Sequence, residues 1–163
     1  MAVIVADPTG LAGLLSRAKP GAASALFDQV TTHLEAGAIR FPREVVEELH
    51  IVARNDFLSG WASGLGDKKD KWTSEAVYMR QVMRLAVDMG FDDGFLSLDN
   101  RDPAIAFVAR MCFDLEDQGV QFCVLSEDTG SSPLSPTMEE VCAEAGWIFI
   151  NPDDCVARLN LRL

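Results

Sequence analysis

Val3-Ile4-Val5-Ala6-Asp7 is an uninterrupted apolar run that ends in an acid, and it indicates how the chain folds. Continuous apolar character over so short a run is typical of a strand buried on both faces of a parallel sheet. A second run of this kind, Phe122-Cys123-Val124-Leu125, is soon followed by Asp128. Because parallel strands end at the same edge of a sheet, we expect both acids at one crevice.

The residues around these two runs have the spacing of helices and of further short strands. Pro42 opens a helix whose inner face carries Val45, Val46 and Leu49, and residues 60–72 are expected to form a loop or a broken helix. Strands are also predicted at 38–41 and 147–150, and helices at 22–36, 74–89, 103–119, 135–146 and after Asn151-Pro152. This alternation predicts an α/β fold, a three-layer α/β/α sandwich with a mostly parallel sheet of four or five strands.

The composition is that of one globular domain in the cytoplasm. The chain has 163 residues, of which 48% are hydrophobic, and no apolar run approaches the ~20 residues that cross a bilayer. The four cysteines have no CxxC spacing and are expected to be reduced core thiols, and only two histidines are present. A disulfide framework, a zinc site and Ser-His-Asp catalysis are therefore not expected, and neither is membrane binding.

The formal charge of −11 argues against a protein that holds nucleic acid through bulk electrostatic attraction. It is compatible with a nuclease whose acids gather in a metal site, and it suits a basic partner segment. The basic residues concentrate in one region, with two tryptophans beside it: Lys68, Lys69, Lys71, Arg80, Arg84, Trp61 and Trp72. A solvated surface and core packing are the simpler interpretations; phosphate contact and base stacking are the functional ones.

Four acids stand near the ends of predicted elements: Asp7, Glu48, Asp102 and Asp128. Carboxylates gathered at one sheet edge repel one another unless a divalent cation holds them, and Mg²⁺ and Mn²⁺ prefer such oxygen ligands. The arrangement favours metal-assisted chemistry on phosphate. Asp7 and Asp102 could instead serve only as helix caps, and the acids that compete for the other places are Glu47, Asp99 and Glu127.

After Asp7 come Val46-Glu47-Glu48-Leu49, Asp102-Pro103-Ala104-Ile105-Ala106 and Ser126-Glu127-Asp128, and with these motifs the chain resembles the PIN-domain family, in particular its VapC-type toxins. The resemblance covers nearly the whole chain and implies one PIN-like domain over residues 1–163. It implies an endoribonuclease that depends on Mg²⁺ or Mn²⁺, with Asp7 and Asp102 as direct ligands. Glu48 and Asp128 would bind a second metal or orient water.

The resemblance also implies an RNA substrate and, if the chain is a toxin, an antitoxin protein; a homodimer is a further partner expectation for this chain. One departure is Pro8, which replaces the small polar residue that usually follows the first acid in the family. The alternative function is therefore a catalytically weakened PIN-like module that acts by binding protein or RNA. A phosphatase of the haloacid dehalogenase class ranks third, because Thr9 stands where that chemistry needs a second aspartate.

Overall fold

The computed structural model describes residues 2–52, 55–95, 103–131 and 134–163. This part of the chain forms a four-stranded sheet: β1 (Val3–Ala6), β2 (Ile39–Arg40), β3 (Phe122–Leu125) and β4 (Phe149–Ile150). The strand order is β2-β1-β3-β4 and every neighbouring pair is parallel. The predicted α/β fold is confirmed, and the order is consistent with a PIN-like, Rossmann-type topology.

Helices flank the sheet and connect its strands, as parallel pairing requires. Their bounds are α1 (Pro8–Arg17), α2 (Ala23–Ala36), α3 (Arg43–Val52), α4 (Asp56–Gly64), α5 (Met79–Asp88), α6 (Ala104–Asp117), α7 (Met138–Ala145) and α8 (Pro152–Leu159). Two 3₁₀ turns, Gly66–Asp70 and Ala76–Tyr78, lie between α4 and α5. The segment 60–72, predicted as a loop or a broken helix, thus consists of the end of α4, Leu65, the first of these turns and two residues after it.

Local capping decides where several helices begin and end. Gly37 ends α2 in the left-handed region at φ 86°, which a side chain would disfavour. The helix predicted from Ser135-Pro136 begins later, at Met138. Thr137 is its N-cap, since its hydroxyl accepts from the Glu140 N–H while the Glu140 carboxylate accepts from the Thr137 N–H.

The core lies on both faces of the sheet. Ile4, Val5 and Ala6 are at most 1% exposed, so β1 is a fully buried central strand as its apolar run predicts. All four cysteines are buried and unpaired, which agrees with the expectation of core thiols. In the described ranges, no helix has both the length and the apolar character needed to cross a membrane.

Candidate functional site

Asp7 and Asp128 follow the two central strands at the carboxyl edge of the sheet. The chain goes from β1 to β2 on one side and later returns to place β3 on the other side, so the strand order reverses at β1. A reversal of this kind opens a crevice beyond the strand ends, where ligands bind in open α/β sheets. Ala6 pairs with Leu125 at the ends of β1 and β3, so the residues directly after these two paired ends are Asp7 and Ser126.

The Asp7 carboxylate is buried and accepts three hydrogen bonds. Its Oδ1 accepts from the Gly10 N–H at 2.7 Å and from the Thr9 hydroxyl at 2.8 Å, and its Oδ2 accepts from the Ser126 hydroxyl at 2.5 Å. The bond from Gly10 makes Asp7 the N-cap of α1, with Pro8 at the first helical position. Asp7 is therefore both a helix cap and an acid at the crevice.

Burial raises the pKa of Asp7 from 3.8 to about 6. The hydrogen bonds from Ser126, Gly10 and Thr9 oppose this rise, but they do not offset the loss of hydration, since the residue is only 4% exposed. The ionised form is therefore costly to keep in the folded protein. A cation close to Asp7 would stabilise it.

Asp128 is anchored to both neighbouring elements. Its backbone N–H donates to Ser126 Oγ at 2.9 Å, so a single hydroxyl links the two acids at the strand ends. Its Oδ2 accepts from the Met138 N–H, in the first turn of α7, at 3.0 Å. Burial is the main cause that raises the pKa of Asp128, and the bond from Met138 partly opposes it.

Glu48 approaches the crevice from α3. Its Oε1 accepts from the Ala104 N–H, in the first turn of α6, at 2.6 Å. Unpaired N–H groups and the helix dipole both favour negative charge at such a position. Burial raises the pKa of Glu48, with the hydrogen bond from Ala104 acting in the opposite direction.

The competing acids beside Glu48 and Asp128 make contacts elsewhere. Glu47 is exposed and lies 3.5 Å from Arg43 in an ion pair along α3. Glu127 forms an ion pair with Arg17 of α1. The structure therefore places the predicted acid of each pair, rather than its neighbour, at the crevice.

Asp102 and its competitor Asp99 lie outside the described residues. The helix after Asp102 begins at Ala104, with Pro103 in the N-cap position, one residue later than the sequence indicates. Pro103 has no side-chain acceptor, and the carboxylate of Glu48 takes up the Ala104 N–H in its place. No capping pattern in the local sequence predicts this hydrogen bond, because it joins two separate helices.

A pocket of about 300 Å³ lies at this edge of the sheet, and we call it the acid pocket. Its lining includes three of the four predicted acids: Asp7, Glu48 and Asp128. The other lining residues are Pro8, Thr9, Phe95, Pro103, Ile105, Ser135 and Pro136. Among the described residues that line the acid pocket, none has a basic side chain.

The hydroxyl groups of Thr9 and Ser126 join the ends of β1 and β3, and neither was predicted to have a role in the site. Thr9 donates to Asp7 and accepts from the Glu127 N–H at 2.9 Å, and its Oγ1 lies 3.1 Å from Ser126 Oγ. Thr9 thus supplies, one position later, a polar group beside Asp7 that Pro8 cannot provide. Thr9 lies in the first turn of the helix that follows Asp7, and this position is the sequence feature that could have identified it as part of the site.

The donor set of the acid pocket has the chemistry of a hard-cation site, because it consists of carboxylate and hydroxyl oxygens. The spacing is less favourable: in the described ranges, no three Asp, Glu, His or Cys side chains lie close enough to hold one ion. On α3, one turn before Glu48, Glu44 has a buried Oε2 without a hydrogen-bond partner among the described residues. A complete site would need Asp102, or a movement of Glu48 towards Asp7.

In the basic region beside α4, Lys68 and the two tryptophans contact the rest of the protein. Lys68 pairs with Glu35 at 2.7 Å, and the Trp72 Nε1–H donates to the Leu34 carbonyl at 2.6 Å. Trp61 packs edge-on against Phe27 of the core. These contacts favour core packing and a solvated surface over base stacking and phosphate contact.

Comparisons with models of protein families, with curated proteins and with solved structures found no match to this chain. The resemblance to PIN domains therefore depends on the motifs in the sequence and on the order of the strands.

Proposed function

We propose that this chain is a Mg²⁺- or Mn²⁺-dependent endoribonuclease that hydrolyses RNA phosphodiesters, and that it is the cytoplasmic toxin of a toxin–antitoxin pair. The observation that carries the proposal is the acid pocket. Asp7, Glu48 and Asp128 come from three separate elements, line one pocket and have no basic side chain in its described lining. Burial raises the pKa of each acid, so a bound cation would stabilise all three together.

The acids of the pocket would have different roles in the reaction. Asp7 is held by three hydrogen bonds and would be the fixed ligand, with Asp102 as its proposed partner. A divalent cation, when bound, would polarise a phosphoryl oxygen and lower the pKa of the attacking water. Glu48 and Asp128 each have a raised pKa and would orient that water and accept its proton.

A weakened PIN-like module that binds a partner is the second candidate, and a specific observation favours it. Asp7 is already fully bonded on Oδ1, and the described acids contain no group of three that could hold one ion. In such a module, an Arg or Lys of a partner would enter the acid pocket and replace the cation.

The two candidates are separated by RNA cleavage with purified protein, with and without Mn²⁺ or Mg²⁺. We expect cleavage that a chelator abolishes and that Asp7→Asn and Asp102→Asn remove by more than about a hundredfold, because even indirect contacts to metal ligands carry effects of that size. Glu48→Gln should lower activity strongly. Glu47→Gln, its exposed neighbour, is the matched control and should remain active.

Direct binding of Mn²⁺, measured by calorimetry, tests the site without activity. Binding that Asp7→Asn removes would support the cation site even if the RNA substrate were poorly chosen. Absence of both binding and cleavage would favour the partner-binding module.

The toxin part of the proposal is tested in the host. Expression of the chain alone should slow growth, and Asp7→Asn should relieve the effect. An antitoxin that places a basic side chain in the acid pocket should co-purify, compete with Mn²⁺ and bind more weakly as salt rises. If the chain purifies alone and leaves growth unchanged, the toxin hypothesis is wrong, whereas the nuclease hypothesis is not contradicted.

A further inference from the structure

A groove between α2 and α4 is lined by aromatic rings and by acids, and we call it the aromatic groove. It has a volume of about 310 Å³. Among the described residues that line it, three are aromatic, two are acidic and none is basic: Phe27, Phe57, Trp61, Asp28 and Asp56. None of its described lining residues belongs to the acid pocket, so what the groove binds is independent of the proposed nuclease.

The three rings meet at steep angles and form a corner rather than a stack. Phe57 and Trp61 are one turn apart on α4, so they lie on the same side of that helix. Each packs against Phe27 of α2: the Phe57 ring with a centroid distance of 5.5 Å and an angle of 76°, and the Trp61 ring with 4.9 Å and 74°. In such a corner, a compact ligand can contact more than one ring.

Trp61 is fixed by contacts that leave part of its side chain open to solvent. Its Nε1–H donates to the Thr31 hydroxyl at 3.0 Å, and its ring packs against Phe41 with the centroids 6.3 Å apart. Trp61 and Phe57 are only partly buried, unlike Phe27, which is 1% exposed. The aromatic groove therefore has a rigid wall that a ligand can reach.

The two carboxylates of the groove have no cation to balance them. Asp28 of α2 and Asp56 at the start of α4 are exposed, and in the described part of the chain neither forms an ion pair. Gly60 also lines the groove, and a Cβ at its position would meet nothing within 4 Å. The groove thus combines open space, aromatic rings and uncompensated negative charge.

This combination has the chemistry of a site for an organic cation. The negative faces of aromatic rings attract ammonium groups within about 6 Å, and tryptophan attracts them most strongly. Metal ions are poorly served, because ring carbons do not coordinate hard cations and, in the described ranges, no three Asp, Glu, His or Cys side chains lie close enough to hold one ion. An anion would be repelled by the two aspartates and by the net charge of −11.

We propose that the aromatic groove binds a small alkylated ammonium ion, a compound such as choline that has a positive charge and no carboxylate. The methyl groups contact Phe57 and Trp61, and Asp28 and Asp56 balance the charge. A quaternary ammonium ion suits these rings because its charge is spread over methyl groups that are weakly hydrated. A primary ammonium group is compact and strongly hydrated, so it loses more when it leaves water.

The first test compares choline with its neutral analogue, in which a carbon atom replaces the nitrogen. The two molecules have the same shape, so only the charge differs. We expect choline to bind the full chain with a Kd of about 1 mM and the analogue to bind at least about tenfold more weakly. The shift of the Trp61 indole N–H signal in NMR measures binding, and the signal is identified by its absence from Trp61→Phe.

The second test removes charge or a ring from the groove. Asp28→Asn with Asp56→Asn should weaken choline binding about tenfold, since each exposed carboxylate contributes a modest attraction. The matched control, Asp92→Asn with Asp93→Asn, removes the same charge from exposed positions outside the described lining and should change the Kd by less than about twofold. Phe57→Leu keeps an apolar side chain without the ring and should weaken binding at least about fivefold.

Circular dichroism should show native helix content in both aspartate pairs, because all four positions are exposed. The absence of a shift with choline up to about 20 mM would overturn the proposal, and so would equal binding of the neutral analogue. A Kd that responds equally to the two aspartate pairs would also overturn it. Binding of free arginine in place of choline would contradict the proposal as well, since it would assign the groove to a planar guanidinium group.

Discussion

The two sides of the acid pocket are held in different ways. On the sheet side, Asp7 accepts three hydrogen bonds, and Ser126 connects it to Asp128 directly after the central strands. On the helix side, the Ala104 N–H is the one hydrogen-bond donor that Glu48 has among the residues that the structure describes. One side of the acid pocket is therefore preorganised, while the other side can adjust. Changes on the sheet side should therefore have the larger effects.

The largest effect is expected from pH acting on Asp7. Its pKa is 3.8 in the unfolded chain and about 6 in the folded protein, so the folded state binds the proton more tightly. Without metal, the free energy of unfolding should fall as pH rises from about 4 through about 6, by about 3 kcal/mol from this group. The asparagine of Asp7→Asn does not titrate. Relative to the wild type, the free energy of unfolding of the variant should therefore rise by that amount between pH 4 and pH 8.

Urea unfolding with a chelator present, repeated across this pH range, measures the difference. Asparagine keeps an acceptor for the Gly10 N–H, so the cap of α1 should survive the substitution. A difference between variant and wild type that stays constant with pH would mean that Asp7 is not held in a costly ionised form.

Gly10→Ala tests how tightly the sheet side is packed. A Cβ at this position would lie 2.4 Å from the carbonyl oxygen of Leu125 and 2.8 Å from its carbonyl carbon, so backbone must move. We expect a loss of about 2–3 kcal/mol in the free energy of unfolding, measured by urea denaturation. Gly60→Ala in α4 is the control, because a Cβ there meets nothing within 4 Å and should be neutral or stabilising.

Ser126→Ala removes the group that links the two acids. The change leaves the Asp128 N–H without its acceptor and the Asp7 Oδ2 without its donor, and should cost about 1–2 kcal/mol. The Ser126 bond lowers the pKa of Asp7, so its removal should raise that pKa further. Titration by carbon-detected NMR would follow the carboxyl directly. An unchanged midpoint would mean that the short hydrogen bond does not persist in solution.

The smallest effect is expected on the helix side. Glu48→Gln keeps an acceptor for the Ala104 N–H and loses only the charge at the start of α6, which should change stability by less than about 1 kcal/mol. Glu47→Gln, the exposed control, should change it by a few tenths at most. Thermal unfolding of both variants provides the measurement. If Glu48→Gln were as destabilising as Ser126→Ala, the two sides would not differ in rigidity.

Local sequence patterns were sufficient for the architecture and for part of the acid pocket. The apolar run before Asp7 and the run before Ser126 each predict a buried strand, because burial on both faces needs only a few consecutive apolar residues. Parallel pairing then brings the strand ends to one edge, so the proximity of Asp7 and Asp128 follows from the order of elements. Asp102 stays a sequence prediction, since it lies outside the described residues.

The α/β class, the buried first strand and the acids that follow the central strands could be predicted from the sequence. Three features emerged only with the folded chain: Glu48 caps α6, Thr9 and Ser126 join the two strand ends, and α7 begins at Met138. The cause is the range of the interactions. Strand and helix patterns depend on neighbours a few residues away, whereas Thr9 and Ser126 are 117 positions apart and meet only when the sheet has formed.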